Sequence, residues 1–592
     1  MMKRSLTFAT LAFALAASAV VPAASAQDMA MADRPPEVEV LRSAVNAISR
    51  MHMETFSDSV LWSAALEGVA HEVAEEYRSM LEGANGDNWQ DLLAQAVAKV
   101  STTPVDNVPD SVLWEAAIDG MIDVLDDPYA ELFTPAESEQ WEESTTGNYS
   151  GIGLQITLLN DAITVTAVFR GFPASEHGIS VGDVIVGVGE HDASEWGTDM
   201  AADSIRGPVG TDVAVRIKRA GYDQPLSYSI ERAEVHVPAV NWGVLESGIG
   251  YVIMDRVARN AAQEMSEALA ELQDHRGLII DLRRNPGGFL DESLMLADLF
   301  LKPGSTLAST VQRVPGSEGA SSSETQAFRD QWPQMVPDLP IVVLVDEFTA
   351  SGAEILAGAL QDYDRAVVLG ERSFGKGVVQ TVMNLPHRRR LRFTTGTWLT
   401  PLGRSLQRSR DSQGVPLVED MSEKARVETP AGRSLIDGGG IFPDVEIQDD
   451  TLRLPEQELI RVVTENEFPL GLRLAEFGFQ VAASRREAGE PPSIQDAEFE
   501  ALIADLVSDG LPAELLEDPM VRDYLRWRGQ MAVAQRMDDI GAEADIRTVR
   551  DPVLTAAIRL LSETNSQAEL FRATEALGER AMPEPEVRQG HR

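Results

Sequence analysis

Two runs of consecutive apolar residues, each followed by a polar turn, stand out in the hydrophobic pattern between residues 340 and 385. The first run, Ile341 to Val345, predicts a buried strand, because a strand covered on both faces shows no alternation of apolar and polar positions. Its turn leads to Ser351 at the start of an apolar helix. The second run, AVVLG, predicts another buried strand, and the loop behind it carries Lys376 between two glycines.

Strands and helices alternate in this way from residue 236 to residue 450, which is typical of an α/β core. The string GLIIDLR at 277–283 predicts a buried strand that leads into Asn-Pro-Gly-Gly, and an apolar helix follows at 290–301. A stretch rich in Gly, Ser and Glu at 315–325 predicts a mobile loop.

The regions on either side of this core are predicted to be helical. Between residues 27 and 145 the string DSVLW occurs twice, at 58–62 and 110–114, and predicts two similar helices that pack together. From 451 to 592 the chain is acidic and helical, and its end is expected to fray. Candidate helices in this last region are 456–464, 499–506 and 531–538.

Between residues 146 and 235 the pattern changes to short strands separated by glycine turns, beginning with Gly151-Ile152-Gly153-Leu154. With the Gly-Asp-x-Ile element at 182–185, this region closely resembles a PDZ domain in its circularly permuted form. The resemblance implies that the N–H groups of the Gly-Ile-Gly-Leu loop hold a peptide's terminal carboxylate, while the next strand pairs with the peptide. A tight turn alone would also account for the two glycines.

Composition excludes several classes of function. A chain of 592 residues is too long for one core and predicts three to five domains. The formal charge of −44, from 94 acidic and 50 basic residues, argues against a nucleic-acid-binding protein, which needs basic surfaces to neutralise phosphates. The chain has no cysteine, so disulfides and thiol nucleophiles are excluded.

The N-terminus has the pattern of a signal peptide. Lys3 and Arg4 precede an apolar run at 6–21, and Ala24-Ser25-Ala26 supplies the small residues of a cleavage site. We predict cleavage after Ala26. No later segment approaches the roughly 18 apolar residues of a membrane span, so we expect an exported, soluble protein of the periplasm.

Ser351 and Lys376 together predict acyl-transfer chemistry. A serine hydroxyl is a poor nucleophile until a base removes its proton. A lysine can act as that base only if burial lowers its pKa far below the ordinary value, and the small and apolar neighbours of Lys376 favour such burial. The pair therefore indicates the serine–lysine dyad of a peptidase.

Other interpretations of the same residues remain open. Lys376 could be a surface lysine in a β-turn, and Ser351 could be a helix cap. The string GERSFGK at 370–376 has the spacing of a phosphate-binding loop, but Gly377 follows the lysine and the next residues alternate like a strand, so we do not expect a bound nucleotide. No His-Glu-x-x-His motif occurs, and neither a metal nor another cofactor is expected.

Six collinear strings between about 116 and 446 resemble the carboxyl-terminal processing proteases, tail-specific serine endopeptidases of family S41. They are DGMIDVLDDPYAELFTP, GIGLQI, GLIIDLRRNPGGFLDE, LVDEFTASGAEILAGAL, GERSFGKGVVQT and GRSLIDGGGIFPDVEI. The resemblance implies that Ser351 is the nucleophile, Lys376 the general base and Gln380 a residue that orients the lysine. It also implies oxyanion donors at Gly352 and at Gly287 or Gly288. The family usually has alanine at the position of Gly352 and a further serine at that of Ala353.

We therefore expect a multidomain α/β protein that cleaves protein substrates recognised through their C-terminal tails. The predicted organisation is a signal peptide (1–26), a helical cap region (27–145), a PDZ domain (146–235), a serine–lysine peptidase core (236–450) and a helical C-terminal extension (451–592). The resemblance also implies a homo-oligomer and a helical-repeat adaptor as partners. The alternative is a catalytically inactive PDZ-containing scaffold of the cell envelope.

Overall fold

The computed structural model describes residues 36–72 and 110–581, apart from 170, 220, 315–322, 387, 411–413, 421–423 and 538. The chain forms two units. One consists of residues up to Ser49 with Phe56–Leu125, and the other of Arg50–Thr55 with Asp126–Arg592. The predicted signal peptide and most of the predicted mobile loop lie outside the described residues.

The smaller unit contains the two repeated strings in the helices Asp58–Glu72 and Asp110–Asp123, preceded by the helix Pro36–Met51. The two repeat helices pack so closely that a Cβ atom on Gly68 would lie 2.1 Å from the carbonyl oxygen of Ala116. Such an approach requires glycine on the facing side of the helix. The predicted pair of similar packed helices is confirmed.

The PDZ region is a six-stranded antiparallel sheet with two helices, Pro173–Glu176 and Thr198–Ile205. The strand Leu154–Leu159 lies at its edge and pairs with Ala162–Val168. Among the described residues it has no strand on its other side, so its main-chain groups there are open to a peptide. The other strands of the sheet are Val184–Val188, His191–Asp192, Asp212–Lys218 and Leu226–Glu231. A separate strand pair, Asn148–Gly151 with Ala233–His236, joins the two ends of the region.

A six-stranded sheet forms the centre of the peptidase core. Its strands, in spatial order, are Val240–Val244, Gly250–Met254, Leu278–Asp281, Ile341–Val345, Val367–Gly370 and Val445–Glu446. The first pair is antiparallel and the rest are parallel. Three helices cover one face: Ala261–Leu272, Leu290–Asp298 and Gly352–Asp362. The carboxyl ends of parallel strands are where α/β proteins place their ligands.

The opposite face of the central sheet is covered by helices from the end of the chain. These are Ile540–Arg547, Pro552–Glu563 and Gln567–Ala581. Leu554 and Leu561 pack with Ile279, Val342 and Leu344 in one fully buried cluster. The region predicted as an appended extension therefore supplies half of the cover of the core. The domain boundary near residue 450 stays a prediction.

A second sheet carries the residues that follow Lys376. Its strands are Glu131–Phe133, Thr306–Arg313, Ser323–Arg329, Val378–Leu385 and Arg389–Leu399. The predicted mobile loop at 315–325 is wrong at its end, because Ser323–Arg329 pairs along its whole length with Thr306–Arg313. The hydrogen bonds of this pairing satisfy a polar segment that lacks an apolar pattern.

The remaining helices of the C-terminal region form a layer of their own: Leu454–Glu465, Leu470–Ala488, Asp496–Ser508, Ala513–Leu516 and Pro519–Ala534. The prediction of a helix at 531–538 is wrong in its bounds. That helix begins at Pro519, where the Asp518 carboxylate accepts from the N–H groups of Met520 and Val521, and it ends at Ala534. No helix in the described ranges is long and apolar enough to cross a bilayer.

Candidate active site

Ser351 stands on a sharp turn between the strand Ile341–Val345 and the helix Gly352–Asp362. Thr349 fixes the turn, since its N–H donates to Asp346 Oδ1 and its hydroxyl to the carbonyl of Leu282, both at 2.9 Å. Ser351 is the N-cap residue of the helix, with φ 50° and ψ −116°. This left-handed conformation costs a non-glycine residue about 1–3 kcal/mol. It is the strained strand-to-helix geometry of a nucleophile elbow, although the Gly-x-Ser-x-Gly motif is absent from the sequence.

A fully buried carboxylate, Glu354, connects the Ser351 turn to the Lys376 loop. Its Oε2 accepts from the N–H groups of Ser351 and Lys376, each at 2.8 Å. Its Oε1 accepts from the Ser373 hydroxyl at 2.5 Å and from the Gly375 N–H at 2.8 Å. Burial raises the pKa of Glu354, and the four hydrogen bonds oppose that effect. One side chain therefore fixes the backbone at both candidate catalytic residues.

Lys376 lies in a loop held on both sides. Its carbonyl accepts from Trp398 Nε1 at 3.0 Å, and the neighbouring Gly377 N–H donates to Gln407 Oε1 at 2.9 Å. The Nζ atom lies 4.9 Å from the centre of the Tyr129 ring. Burial and the nearby charge of Arg392 lower the pKa of Lys376 to about 8. At pH 7 roughly one amine in ten is therefore uncharged, compared with fewer than one in a thousand for a free lysine of pKa about 10.4, and the uncharged form is the one that a general base requires.

The structure brings Ser351 and Lys376 to one site through their backbones. Among the described residues their side chains share no hydrogen bond, because the amine lies against Tyr129. Gln380, predicted to orient the lysine, instead donates from Nε2 to the carbonyl of Tyr129 at 3.1 Å. Its contact with the lysine is thus indirect, through the residue whose ring faces Nζ.

Gly287 and Gly288 lie beside Ser351, and their N–H groups differ in whether they have a hydrogen-bond acceptor. A Cβ atom on Gly287 would lie 2.6 Å from the Gly352 nitrogen and 2.8 Å from Ser351 Cβ, so only glycine fits there. The N–H of Gly287 donates to Oδ1 of the fully buried Asn285 at 2.9 Å. Among the described residues the N–H groups of Gly288 and Gly352 have no hydrogen-bond acceptor.

Gly352, where the family resemblance leads one to expect alanine, has a local explanation. A Cβ atom at this position would lie 2.4 Å from the hydroxyl oxygen of Ser293. That hydroxyl donates to the carbonyl of Phe289 at 2.8 Å, which holds it in place. Ser293 therefore fills the space that an alanine methyl would occupy, and the turn is closely packed.

Comparison with known proteins identifies the family. The sequence profile of peptidase family S41 matches residues 248–416, and that of the PDZ domain matches residues 140–218. A "Carboxy-terminal-processing protease" of Bartonella bacilliformis is 32% identical over 332 residues, covering 55% of this chain and 74% of that protein. The chain belongs to peptidase family S41. It is a serine-type peptidase of the carboxy-terminal-processing type, and its multidomain α/β fold, with a PDZ domain, is confirmed.

Further relatives of this peptidase agree. A "Probable CtpA-like serine protease" of Staphylococcus aureus strain COL is 30% identical and covers 60% of this chain and 72% of its own length. Among solved structures, a photosystem II D1 C-terminal processing protease covers 70% of this chain and 94% of its own, at 23% identity and a TM-score of 0.35. The family assignment rests on the sequence relatives.

The Gly-Ile-Gly-Leu loop of the peptidase's PDZ domain is shaped by close packing. Gly153 has φ 82°, and a Cβ atom there would lie 2.4 Å from Cβ of Phe172. The side chain of Ile152 is buried in the domain core. Tyr149 lies over Gly151, and burial raises the pKa of Tyr149 to about 12.

Sequence reasoning missed three residues of the site. Glu354 carried a signal, because Ser-x-x-Glu at a helix start is a capping-box pattern. Tyr129 lies in the family string DDPYAELFTP but had no assigned role. Asp127 holds the segment in place by accepting from the Thr394 N–H at 2.8 Å and the Tyr129 N–H at 3.0 Å. Within the ranges that the structure describes, no three or more His, Cys, Asp or Glu side chains cluster in a way that could hold a metal ion.

Proposed function

We propose that this peptidase is an exported endopeptidase that cleaves proteins with a Ser351–Lys376 dyad after its PDZ domain has bound their C-terminal tails. The observation that carries the proposal is the convergence on Glu354. A strained serine and a buried lysine, 25 positions apart, donate through their backbones to one carboxylate oxygen. Fixed geometry of this kind is what catalysis by proximity and orientation needs.

In the proposed acylation step, Ser351 Oγ attacks the scissile carbonyl carbon and its proton passes to neutral Lys376 Nζ. The C–N bond then breaks, and the lysine returns the proton to the leaving amine. To take part, Nζ moves off the Tyr129 ring toward Ser351, a change of side-chain rotamer. Water cleaves the acyl-enzyme by the same proton path, which regenerates the serine hydroxyl and releases the acid.

Gly288 and Gly352 are the proposed oxyanion donors. Both N–H groups are available, and a Cβ atom built on Gly352 would lie 3.2 Å from the Gly288 nitrogen, so the two groups lie close together beside Ser351. The N–H of Gly287 is already bonded to Asn285, which makes Gly287 a spacer rather than a donor. Fixed backbone donors of this type contribute roughly 3–4 kcal/mol each to transition-state stabilisation.

The PDZ domain is proposed to take the substrate's last residues along the open edge of Leu154–Leu159. The terminal carboxylate would accept from the N–H groups of the loop, at Ile152, Gly153 and Leu154. Main-chain pairing with an edge strand tolerates varied sequences, which suits the recognition of unstructured tails.

Peptide binding is tested with the Ser351→Ala protein, so that the ligand is not consumed. A fluorescent ten-residue peptide with a free C-terminus is expected to bind at least about tenfold more tightly than its C-terminal amide, because charge-assisted hydrogen bonds are lost in the amide. Gly153→Ala, which would bring a methyl group onto Phe172, should abolish the difference. Equal affinity for acid and amide would contradict carboxylate recognition by this loop.

Catalysis is tested with casein and with tail peptides. The wild-type protein is expected to cleave them, whereas Ser351→Ala and Lys376→Arg should not, since a guanidinium cannot give up its proton near neutral pH. Circular dichroism and melting of both variants check that the fold is intact. Near-normal turnover by Lys376→Arg would remove the lysine from its proposed role, and absence of cleavage by the wild type would favour a binding scaffold.

Export to the periplasm is the proposed location, on the strength of the N-terminal pattern at 1–26. Mature protein purified from a Gram-negative host is expected to begin at Gln27. A mature form that begins at Met1, or one recovered only from the cytoplasm, would contradict it.

A further inference from the structure

Three arginines gather beside the loop that ends in Lys376: Arg372, Arg408 and Arg410. Arg408 is in direct contact with the loop. Its N–H donates to the carbonyl of Gly375 at 2.9 Å, and a Cβ atom on Gly375 would lie 2.7 Å from Cβ of Arg408. Burial and the charges of Arg372 and Arg410 lower the pKa of Arg408. Positive charge is thus concentrated at this point of a chain whose formal charge is −44.

Two of the three arginines already have partners. Arg410 donates from Nη2 to the carbonyl of Phe374 at 2.7 Å. Its guanidinium also stacks on the Phe374 ring, 3.5 Å from the ring centre. Arg372 pairs with Glu419 at 2.5 Å. Glu419 also pairs with Lys424, at 2.9 Å, so this carboxylate is shared between two cations. In the described part of the chain Glu419 forms no ion pair with Arg408.

Arg408 is different. In the described part of the chain its guanidinium takes part in no hydrogen bond or ion pair, and its Nε, like that of Arg410, is buried without an acceptor. Glu419 and Glu347 lie near enough to oppose the lowering of the pKa of Arg408, but neither forms an ion pair with it. A buried N–H without an acceptor costs about 1–3 kcal/mol, so its presence calls for a ligand that supplies one.

We propose that Arg408 binds a carboxylate of the substrate beside the scissile bond and makes this peptidase selective for acidic tails. Since this takes the Lys376 loop to be the reaction centre, the inference rests on the proposed function. The ligand is a peptide carboxylate, which comes either from an Asp or Glu side chain or from the free C-terminus.

The chemistry of the three arginines favours this ligand. A guanidinium offers two parallel N–H groups to the two oxygens of one carboxylate, and such charge-assisted pairs are about twice as strong as neutral hydrogen bonds. An acidic peptide that approaches a protein of charge −44 is repelled over most of the surface. Arg408, flanked by Arg372 and Arg410, supplies an attractive field next to the Lys376 loop.

Binding is measured first, by fluorescence anisotropy with the Ser351→Ala protein. One pair of peptides carries Glu or Gln near its centre and ends in an amide, which silences carboxylate recognition by the PDZ domain. A second pair carries Gln and ends in an acid or an amide. The second pair is measured with Gly153→Ala added, so that the PDZ loop does not contribute to its preference. We expect a preference of about tenfold or more within one pair, and Arg408→Gln in the same background should remove it. Loss in the first pair identifies a side-chain carboxylate as the ligand, and loss in the second identifies the C-terminus.

Arg426→Gln is the matched control, since Arg426 is an exposed arginine of the same region, on the strand Arg426–Glu428. It should leave both preferences as in the parent protein. Arg408→Lys keeps the charge without the planar fork and should retain a reduced, more salt-sensitive preference. Melting curves check the fold of each variant. Identical ratios for Arg408→Gln and its parent in both pairs would overturn the inference.

Cleavage of the same peptides by proteins with an intact Ser351 separates the two proposals. In one outcome the wild type cleaves the peptides, while Arg408→Gln changes neither the ratio of kcat/KM for the Glu and Gln peptides nor the binding preferences. The proposed carboxylate site at Arg408 is then wrong, and the proposed peptidase activity is retained. If nothing is cleaved while Arg408→Gln still removes a binding preference, the carboxylate site stands and the proposed catalysis fails.

Discussion

The N–H groups of Ser351 and Lys376 donate to the same atom, Oε2 of Glu354, each at 2.8 Å. The two residues come from different loops, one after the strand Ile341–Val345 and one after Val367–Gly370. A single buried carboxylate thus sets their separation. Glu354 is a positioning residue, because the atoms that it contacts are backbone atoms and the Ser373 hydroxyl rather than reacting groups.

Glu354→Gln should reduce kcat by about 100-fold or more. The amide NH₂ would face N–H donors, and two hydrogen bonds would be replaced by donor–donor contacts, a loss of about 3 kcal/mol. The remaining activity should show its acid limb at lower pH, since the charge of Glu354 raises the pKa of Lys376. Steady-state kinetics across pH measure both effects.

Asp362→Asn is the control for that variant. Asp362 is also fully buried, at the other end of the same helix, and it pairs with Arg404 at 2.6 Å, away from the site loops. It should lose stability, yet its folded fraction should keep kcat within about threefold. If both variants lose activity in proportion to stability, Glu354 has no special positioning role.

The pH dependence of the wild type should reflect Lys376. With a pKa of about 8, the amine is mostly protonated below that pH and cannot accept the serine proton. We expect kcat/KM to fall about tenfold per unit as pH drops below 8 and to level off above it. A rate that rises only near the ordinary lysine pKa of about 10.4 would show a solvated amine.

Lys376→Met should stabilise the fold at neutral pH. The folded-state pKa of about 8 lies below the unfolded value, so the unfolded chain binds more protons between pH 8 and about 10.4, and wild-type stability rises with pH in that window. The gain from methionine is expected to be about 3 kcal/mol below pH 8 and to disappear above pH 10.4. Urea unfolding below pH 8 and above pH 10.4 measures this gain in the free energy of unfolding. Lys302→Met, at an exposed lysine, is the control. A pH-independent gain would point to packing instead.

The backbone of Ser351 gives a prediction that concerns stability alone. Glycine adopts φ 50° without strain, whereas alanine keeps the strain of the native serine. Ser351→Gly should therefore be about 1 kcal/mol more stable than Ser351→Ala, with both variants inactive. Thermal melting of the two variants measures the difference in stability. A more stable alanine variant would mean that the turn at residue 351 changes conformation and loses its strain.

Removal of the last helices should unfold the peptidase core. A chain that ends at residue 539 uncovers Ile279, Val342 and Leu344, which pack against Leu554 and Leu561. We expect it to lose cooperative melting, whereas a chain that ends at Ala581 keeps every described helix and should melt normally. Leu561→Ala, a milder change, should cost about 2–5 kcal/mol. A stable, active protein without these helices would contradict the cover assigned to them.

The elements around the site could be predicted from the sequence because their signals are local. Ile341–Val345 is an uninterrupted apolar run and was predicted with its observed bounds. The choice between Gly287 and Gly288 could not be made, since it depends on where the Asn285 side chain lies. Three partners of Glu354 are about 20 positions away, beyond the reach of a helix-capping pattern: Ser373, Gly375 and Lys376. The amphipathic helices after Ile540 showed an apolar face but not which surface it would cover.

The cover supplied by Leu554 and Leu561 has a consequence for the order in which the molecule is made. Strands near residues 279 and 343 leave the ribosome more than 200 positions before the helix that carries Leu554 and Leu561, so the sheet stays open on one side until that helix has been made. The nascent chain therefore exposes an apolar sheet face that we expect chaperones to bind during synthesis. We expect activity only after the helices Pro552–Glu563 and Gln567–Ala581 have folded onto the sheet.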